Sequence, residues 1–177
     1  MTPNLPVVLG VGNPLVGDDG IGPVVVSRLR NEPLPVGVEL IDAGTSAFTV
    51  FDEVTGGRDV ILIDAVQIAG GTPGTVVELD LTPTAAMRHG APRFSLHEVD
   101  LEGVFALAAA LSRPVAAVHV IGFNVIARPQ ADCRLSPAAA AAVDEIVARV
   151  CRRLVRLSGG GDAGRAECVR ERALARK

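Results

Sequence analysis

The sequence predicts a three-layer α/β fold in which a mostly parallel, twisted sheet of about five strands is covered by helices on both faces. Apolar, β-branched runs alternate with helical segments, which is typical of parallel strands joined by crossover helices. The first run, residues 6–12 (PVVLGVG), is apolar throughout, as expected of a strand buried on both faces. The length of 177 residues fits one domain.

The strand candidates are rich in β-branched residues and are bounded by Gly, Pro or Asp. They are residues 6–12, 38–41, 60–63, 76–79 and 115–121. The helical candidates are residues 19–31, 46–56, 95–112 and 136–157. Two of these helices begin with recognisable N-capping sequences. Ser95 and Glu98 have the spacing of a capping box, and Ser136 precedes a proline at the first helical position.

Two segments lie outside this alternation. Residues 64–75 contain the turn-rich sequence AGGTPG and are too short for a well-formed crossover helix, so we expect a hairpin here, with one strand antiparallel. After Leu157 a glycine run interrupts the last helix and the apolar periodicity disappears. We therefore expect a single domain over residues 1–157 and a flexible polar tail over residues 158–177.

Composition and charge exclude several classes of protein. The 17 basic and 20 acidic residues give a net charge of −3, and the only aromatic residues are five phenylalanines, so the chain offers nucleic acid neither a basic surface nor a stacking platform. No apolar run reaches the roughly 18–20 residues of a membrane-spanning helix. No basic segment precedes the first apolar stretch, as it would in a signal peptide. We expect a cytoplasmic protein that binds neither nucleic acid nor membrane.

The most informative segment is residues 10–22 (GVGNPLVGDDGIG), which joins the first strand to a helix. Its start resembles a dinucleotide-binding fingerprint, but Leu15 stands where the third glycine is needed. Asp18 and Asp19 would also repel a pyrophosphate at the helix N-terminus. A helix cap explains one aspartate, and if Asp18 is that cap, Asp19 can point into the crevice above the sheet. Glycines in the first helical turn cost about 1 kcal/mol each relative to alanine and indicate close approach of another backbone.

Two further residues are expected near this segment. Asp64 follows an apolar strand directly, at the edge where parallel sheets bind ligands. His97 lies in the first turn of the helix predicted to begin at Ser95, where the helix dipole favours the neutral, metal-binding imidazole. Each residue alone is also compatible with a structural role. Together with Asp19, they would form an exposed three-ligand site with open positions for a metal that binds a second molecule.

Other catalytic patterns are missing from the sequence. His89, in a polar loop, and His119, within an alternating strand, are interpreted as structural. There is no G-x-S-x-G elbow and no HExxH motif, so the sequence indicates neither a serine hydrolase of that type nor an ordinary zinc protease.

Four segments, taken together, resemble the [NiFe]-hydrogenase maturation endopeptidases in order and spacing. They are GVGNPLVGDDGIG at 10–22, LIDAGTS at 40–46, VILIDAV at 60–66 and SLHEVDL at 95–101, and the resemblance extends over about residues 6–157. It implies an α/β fold, and it implies an enzyme that removes a C-terminal extension from the hydrogenase large-subunit precursor after nickel insertion. It also implies metal contacts by Asp19, Asp64 and His97, with Asp42 as a further acidic residue of the cleft.

The resemblance implies that the enzyme recognises its substrate through the nickel that the substrate carries. Two carboxylates and one imidazole would hold a divalent ion weakly, so we expect no tightly bound metal in the free enzyme, although other divalent ions can occupy the site. Hydrolysis could use the metal to polarise the carbonyl or a water, or could use Asp42 or Asp18 as general base. The alternatives are a metal-dependent docking or chaperone module without proteolysis, and a nucleotide-binding regulator.

Overall fold

A computed structural model of the protein describes residues 5–81, 94–96, 100–125 and 133–158. Within these ranges the strands are β1 (Val7–Val11), β2 (Glu39–Gly44), β3 (Val60–Ile68), β4 (Val76–Leu81), β5 (Phe94–Leu96) and β6 (Val118–Asn124). The α-helices are α1 (Ile21–Leu29), α2 (Ala47–Val54), α3 (Leu101–Ala110) and α4 (Pro137–Leu157). A short 3-10 helix, Gly17–Gly20, precedes α1.

The strands form one mixed sheet in the order β2-β1-β3-β6-β4, with β5 beside β3. β1 pairs in parallel with β2 and β3, and β3 pairs in parallel with β6. β4 is antiparallel to β6, and β5 is antiparallel to β3. The predicted mostly parallel sheet is therefore confirmed. The predicted hairpin of the third and fourth strands is wrong, because β6 lies between them and supplies the antiparallel partner of β4.

Helices cover both faces of the sheet, as predicted. Alternate residues of β1 point to opposite faces, so Leu9 packs in the core cluster beneath α2 and α3, whereas Val8 packs beneath α1 and α4. β3 shows the same division at Leu62 and Ile63. Because both faces are covered, both sets of side chains must be apolar, which explains the uninterrupted apolar sequence of these strands.

The start of the last helix agrees with the sequence. The Ser136 hydroxyl accepts a hydrogen bond from the backbone N–H of Ala139 at 3.2 Å, and Pro137 occupies the first helical position. The helix ends at Leu157. Residues 159–177 lie outside the described ranges, so the boundary between domain and tail stays a prediction. No helix in the described ranges is both long enough and apolar enough to cross a bilayer.

The predicted start of the preceding helix is wrong. Ser95 lies in β5, and α3 begins at Leu101, where the Asp100 carboxylate accepts a hydrogen bond from the Gly103 N–H at 3.0 Å. The physical reason is an available sheet edge: β3 extends beyond its ladder with β1, and β5 pairs there instead of starting a helix. Glu98, the second member of the expected capping box, lies outside the described residues.

The start of α1 lies directly on the backbones of two strands, as its glycines indicated. A Cβ added to Gly22 would overlap the carbonyl oxygen of Val11 and would lie 2.6 Å from that of Ile63. A Cβ on Gly10 would lie 2.5 Å from the Gly22 carbonyl oxygen. Neither position can accept a side chain unless the helix moves away from the sheet.

We expect Gly22→Ala to lower the free energy of unfolding by about 2 kcal/mol or more. Alanine favours a helix over glycine by about 1 kcal/mol, but overlap with two rigid backbone carbonyls costs more than this gain. Urea unfolding measures the difference. Ser27→Ala, on the exposed side of the same helix, is the control and should change stability by less than about 0.5 kcal/mol. A Gly22→Ala protein as stable as the parent would contradict the packing argument.

Candidate functional site

Asp19 is held over the end of β1 by the loop that follows this strand. Its side chain is only 4% exposed, and its Oδ2 accepts a hydrogen bond from the Asn13 backbone N–H at 2.7 Å. Gly12 adopts a φ of +126°, and a Cβ on it would overlap the Asp19 carbonyl oxygen. The expected exposed position of this carboxylate is therefore wrong, because the loop folds back onto the end of its own strand.

Asp18 does not cap its own helix, in contrast to the sequence-based hypothesis. Neither the 3-10 helix nor α1 has a side-chain cap. The 3-10 helix adds a turn before α1, so Asp18 lies within the helical segment instead of ahead of it. Its Oδ1 accepts a hydrogen bond from the Ser136 backbone N–H at 2.6 Å. This bond joins the loop after β1 to the start of α4.

Asp64 is fully buried and is the fifth residue of β3, which continues to Ile68. The expectation that Asp64 follows the strand is therefore wrong, as is its expected exposure. The parallel ladder with β1, however, ends at the pair Gly10 and Ile63, so Asp64 is the first β3 residue beyond that ladder. Its Oδ1 accepts a hydrogen bond from the Ala65 N–H at 2.8 Å.

Asp42 lies on the rim of the same sheet edge and is exposed. It pairs in register with Gly10, and its Oδ1 accepts a hydrogen bond from the Gly44 N–H at 3.1 Å. The Gly44 carbonyl in turn accepts a hydrogen bond from the Gly12 N–H at 2.8 Å. The end of β2 is thus tied to the loop that carries Asp19, and the three aspartates 19, 42 and 64 come to the carboxyl edge of the three adjacent parallel strands.

His97, the predicted third metal ligand, lies outside the described residues. Its neighbour Leu96 is described and pairs with Val66, two residues beyond Asp64. Within the described ranges, no three His, Cys, Asp or Glu side chains form a group that could hold a metal ion. Sequence reasoning missed β5 because its alternating pattern, Phe-Ser-Leu, covers only three residues.

His119 has the structural role that the sequence indicated. Its Nδ1 lies 2.6 Å from Asp80 Oδ1 on the neighbouring β4, and Arg153 of α4 contacts the same carboxylate oxygen at 2.9 Å. Partial burial acts to raise the pKa of Asp80, but the hydrogen bond with His119 and the charge of Arg153 outweigh it and hold this pKa below its usual value. His89 lies outside the described residues.

Comparisons with known proteins agree on one family. The family model described as hydrogenase maturation protease matches residues 23–153. The hydrogenase expression/formation protein HupD of Rhodobacter capsulatus is 31% identical over 153 residues, which is 86% of this chain and 72% of that protein. Across the curated relatives it matches, the chain spans between 44% and 72% of their length.

Solved structures show the same likeness. The hydrogenase maturating endopeptidase HybD of Escherichia coli superimposes with a TM-score of 0.69 at 25% identity, over 88% of this chain and 94% of that one. The hydrogenase 2 maturation peptidase of a Thaumarchaeota archaeon has a TM-score of 0.62 at 32% identity, over 85% of this chain and 97% of that one.

Asp18→Ala should lower the free energy of unfolding by about 1–3 kcal/mol, because it removes the charged acceptor of the Ser136 N–H. Asp18→Asn keeps a carbonyl acceptor and should lose less. Urea unfolding of both variants measures the effect. Asp52→Ala removes an exposed aspartate on α2 and should change stability by less than about 0.5 kcal/mol. Equal losses in Asp18→Ala and Asp52→Ala would show that the bond to Ser136 contributes nothing.

Proposed function

Because this chain belongs to the hydrogenase maturation protease family, we propose that it is an endopeptidase that removes the C-terminal extension of a [NiFe]-hydrogenase large-subunit precursor after nickel insertion. Relatives named as a hydrogenase maturating endopeptidase and a hydrogenase maturation peptidase support this activity. The observation that carries the proposal is the pair of buried carboxylates, Asp19 and Asp64, which come from different elements to one edge of the sheet.

Burial of two carboxylates at one edge favours a cationic ligand. Removing a carboxylate from water is costly unless positive charge or hydrogen bonds compensate for it. Asp19 and Asp64 each accept a backbone N–H, and a carboxylate has several lone pairs, so these bonds still allow an oxygen to contact a metal. A divalent ion at this edge would offset the negative charge that the fold holds there.

The proposed ligands of the nickel are Asp19, Asp64 and His97. The pairing of Leu96 with Val66 supports the inclusion of His97, because Leu96, the residue before His97 in the sequence, pairs two residues along β3 from Asp64. Carboxylate oxygen and imidazole nitrogen are suitable ligands for nickel. The ion belongs to the substrate, and binding it would hold the nearby scissile peptide against this edge.

Asp42 is the proposed general base. A base must reach the attacking water, and Asp42 is the exposed member of the aspartates 19, 42 and 64, whereas Asp18 is directed to the start of α4, where it binds the Ser136 N–H. Asp42 would take a proton from water as the new C–O bond forms at the peptide carbonyl. The C–N bond then breaks, and the leaving nitrogen takes up the proton.

The ligand set predicts that the free enzyme holds no tightly bound metal. A carboxylate pair with one imidazole lacks the thiolates and additional imidazoles of closed structural sites. Zinc or cadmium should therefore enter only when supplied in excess. Nickel reaches the protein already held by the precursor.

Asp19→Asn, Asp64→Asn and His97→Ala should each reduce cleavage of nickel-loaded precursor by at least about 100-fold, and a double variant should lose little more, because ligands of one ion act as a unit. The two asparagine variants keep the shape of the side chain and an oxygen that can accept the backbone N–H, so both proteins should remain folded. Cleavage is followed by mass spectrometry, with Asp52→Asn as control. Near-normal cleavage by any one variant removes that residue from the site.

Cleavage should require nickel in the precursor and not metal added to the enzyme. The test mixes the protein with precursor that carries nickel and with precursor that lacks it, and then measures release of the extension by mass spectrometry. A chelator that cannot strip the precursor should not inhibit. Equal cutting of both precursors would contradict nickel recognition, and cutting of neither would favour a docking module.

A further inference from the structure

The part of β3 beyond Asp64 forms a projecting arm, defined here as residues 65–68. On one side of the arm, β5 pairs with it in antiparallel register from Val66 to Ile68. On the other side, the ladder with β6 ends at the pair Val66 and Asn124. The last two residues of the arm therefore have a strand partner on one side only.

The Asn124 side chain binds the arm at the point where the β6 ladder ends. Its side chain is 2% exposed, and its Oδ1 accepts a hydrogen bond from the Ile68 backbone N–H at 3.1 Å. Ile68 follows the last paired residue by two positions, which is the spacing of successive bonds along one side of a strand. The side-chain amide thus adds one more hydrogen bond to the arm after the backbone of β6 has ended its pairing.

The other polar groups of Asn124 hold the connection that follows the arm. Its Nδ2 donates to the Thr72 carbonyl at 2.9 Å. Its backbone N–H donates to the Thr75 carbonyl at 2.9 Å, and its carbonyl accepts from the Gly74 N–H at 2.7 Å. A Cβ on Gly71 would lie 2.9 Å from Nδ2, so the turn approaches the amide closely. A buried amide with these partners fixes one arrangement of the arm and the turn.

We infer that Asn124 is a positioning residue for the proposed nickel site. This inference rests on the proposed function. Asn124 fixes the arm, the arm sets the register of β5, and β5 ends at Leu96, the residue that precedes His97. A slip of one residue in this register would shift the chain by about 3.3 Å and reverse the face of every side chain.

Two substitutions test this role. Asn124→Ala removes the acceptor of the Ile68 N–H and the donor to the Thr72 carbonyl. It should reduce cleavage of nickel-loaded precursor by about 10- to 100-fold at a temperature where the variant is fully folded. Asn124→Asp can reproduce both bonds only when it is protonated, because its ionised form places an oxygen against the Thr72 carbonyl. Its cleavage rate relative to the parent should therefore rise as the pH falls, whereas that of Asn124→Ala should stay constant.

Val147→Ala is the matched control, since Val147 is buried on α4 and its apolar side chain cannot take part in the hydrogen bonds that hold the arm. It should lower the melting temperature but keep cleavage within about twofold of the parent when folded. The inference is overturned if Asn124→Ala cleaves within twofold of the parent, if Val147→Ala loses as much activity, or if the ratio for Asn124→Asp is independent of pH.

Cleavage by the parent protein distinguishes failure of this inference from failure of the proposed function. Failure of the parent to cut nickel-loaded precursor contradicts the function, and the role of Asn124 is then decided by amide hydrogen exchange. Faster exchange at Ile68 in Asn124→Ala, with unchanged exchange at Ile61 near the start of β3, where β1 and β6 pair with the strand on both sides, supports a fixed arm. Unchanged exchange at Ile68 overturns it.

Discussion

The close contact of α1 with the backbones of β1 and β3 is the constraint on which the rest of the structure depends. Gly22 brings the helix onto the carbonyl groups of Val11 and Ile63, and Gly10 leaves room for it. Because the helix starts directly above the strand end, the intervening loop must turn back within a few residues. That turn buries Asp19 against Gly12, and it places Asp18 where the start of α4 can bind it.

The early end of the β1 ladder is the second determinant of the site. β3 continues past its pair with Gly10, and the edge that β1 leaves is occupied by β5. Asp64 lies at this transition between a parallel and an antiparallel partner. It is therefore fully buried and still belongs to the carboxyl edge of the sheet, a combination that a carboxylate at the end of an ordinary strand would not have.

Charged side chains have different surroundings at the carboxyl edge of the sheet and on the outer strand β4. At the carboxyl edge the fold buries the carboxylates of Asp19 and Asp64, which accept hydrogen bonds from backbone N–H groups. On β4, Glu78 and Asp80 instead form ion pairs with Arg149 and Arg153 of α4. Charged groups on an outer strand also discourage pairing with another chain. This second cluster joins β4 to α4, whereas the first contains two residues of the proposed nickel site.

The sequence by itself determined the layers of the fold, the alternation of strands and helices and the cap at Ser136, because each depends on neighbouring residues or on apolar periodicity. The glycines at the start of α1 also indicated that another backbone approaches there, but not which strands supply it. Only the tertiary structure decided the partner of β4, the start of α3, the acceptor role of Asp18 and the function of Asn124 in the arm. These features depend on groups far apart in the chain: Asp18 and Ser136 are separated by 118 positions, and Ile68 and Asn124 by 56. A polar side chain in a sequence shows that it needs a partner, but which partner it finds is decided by how the distant elements pack.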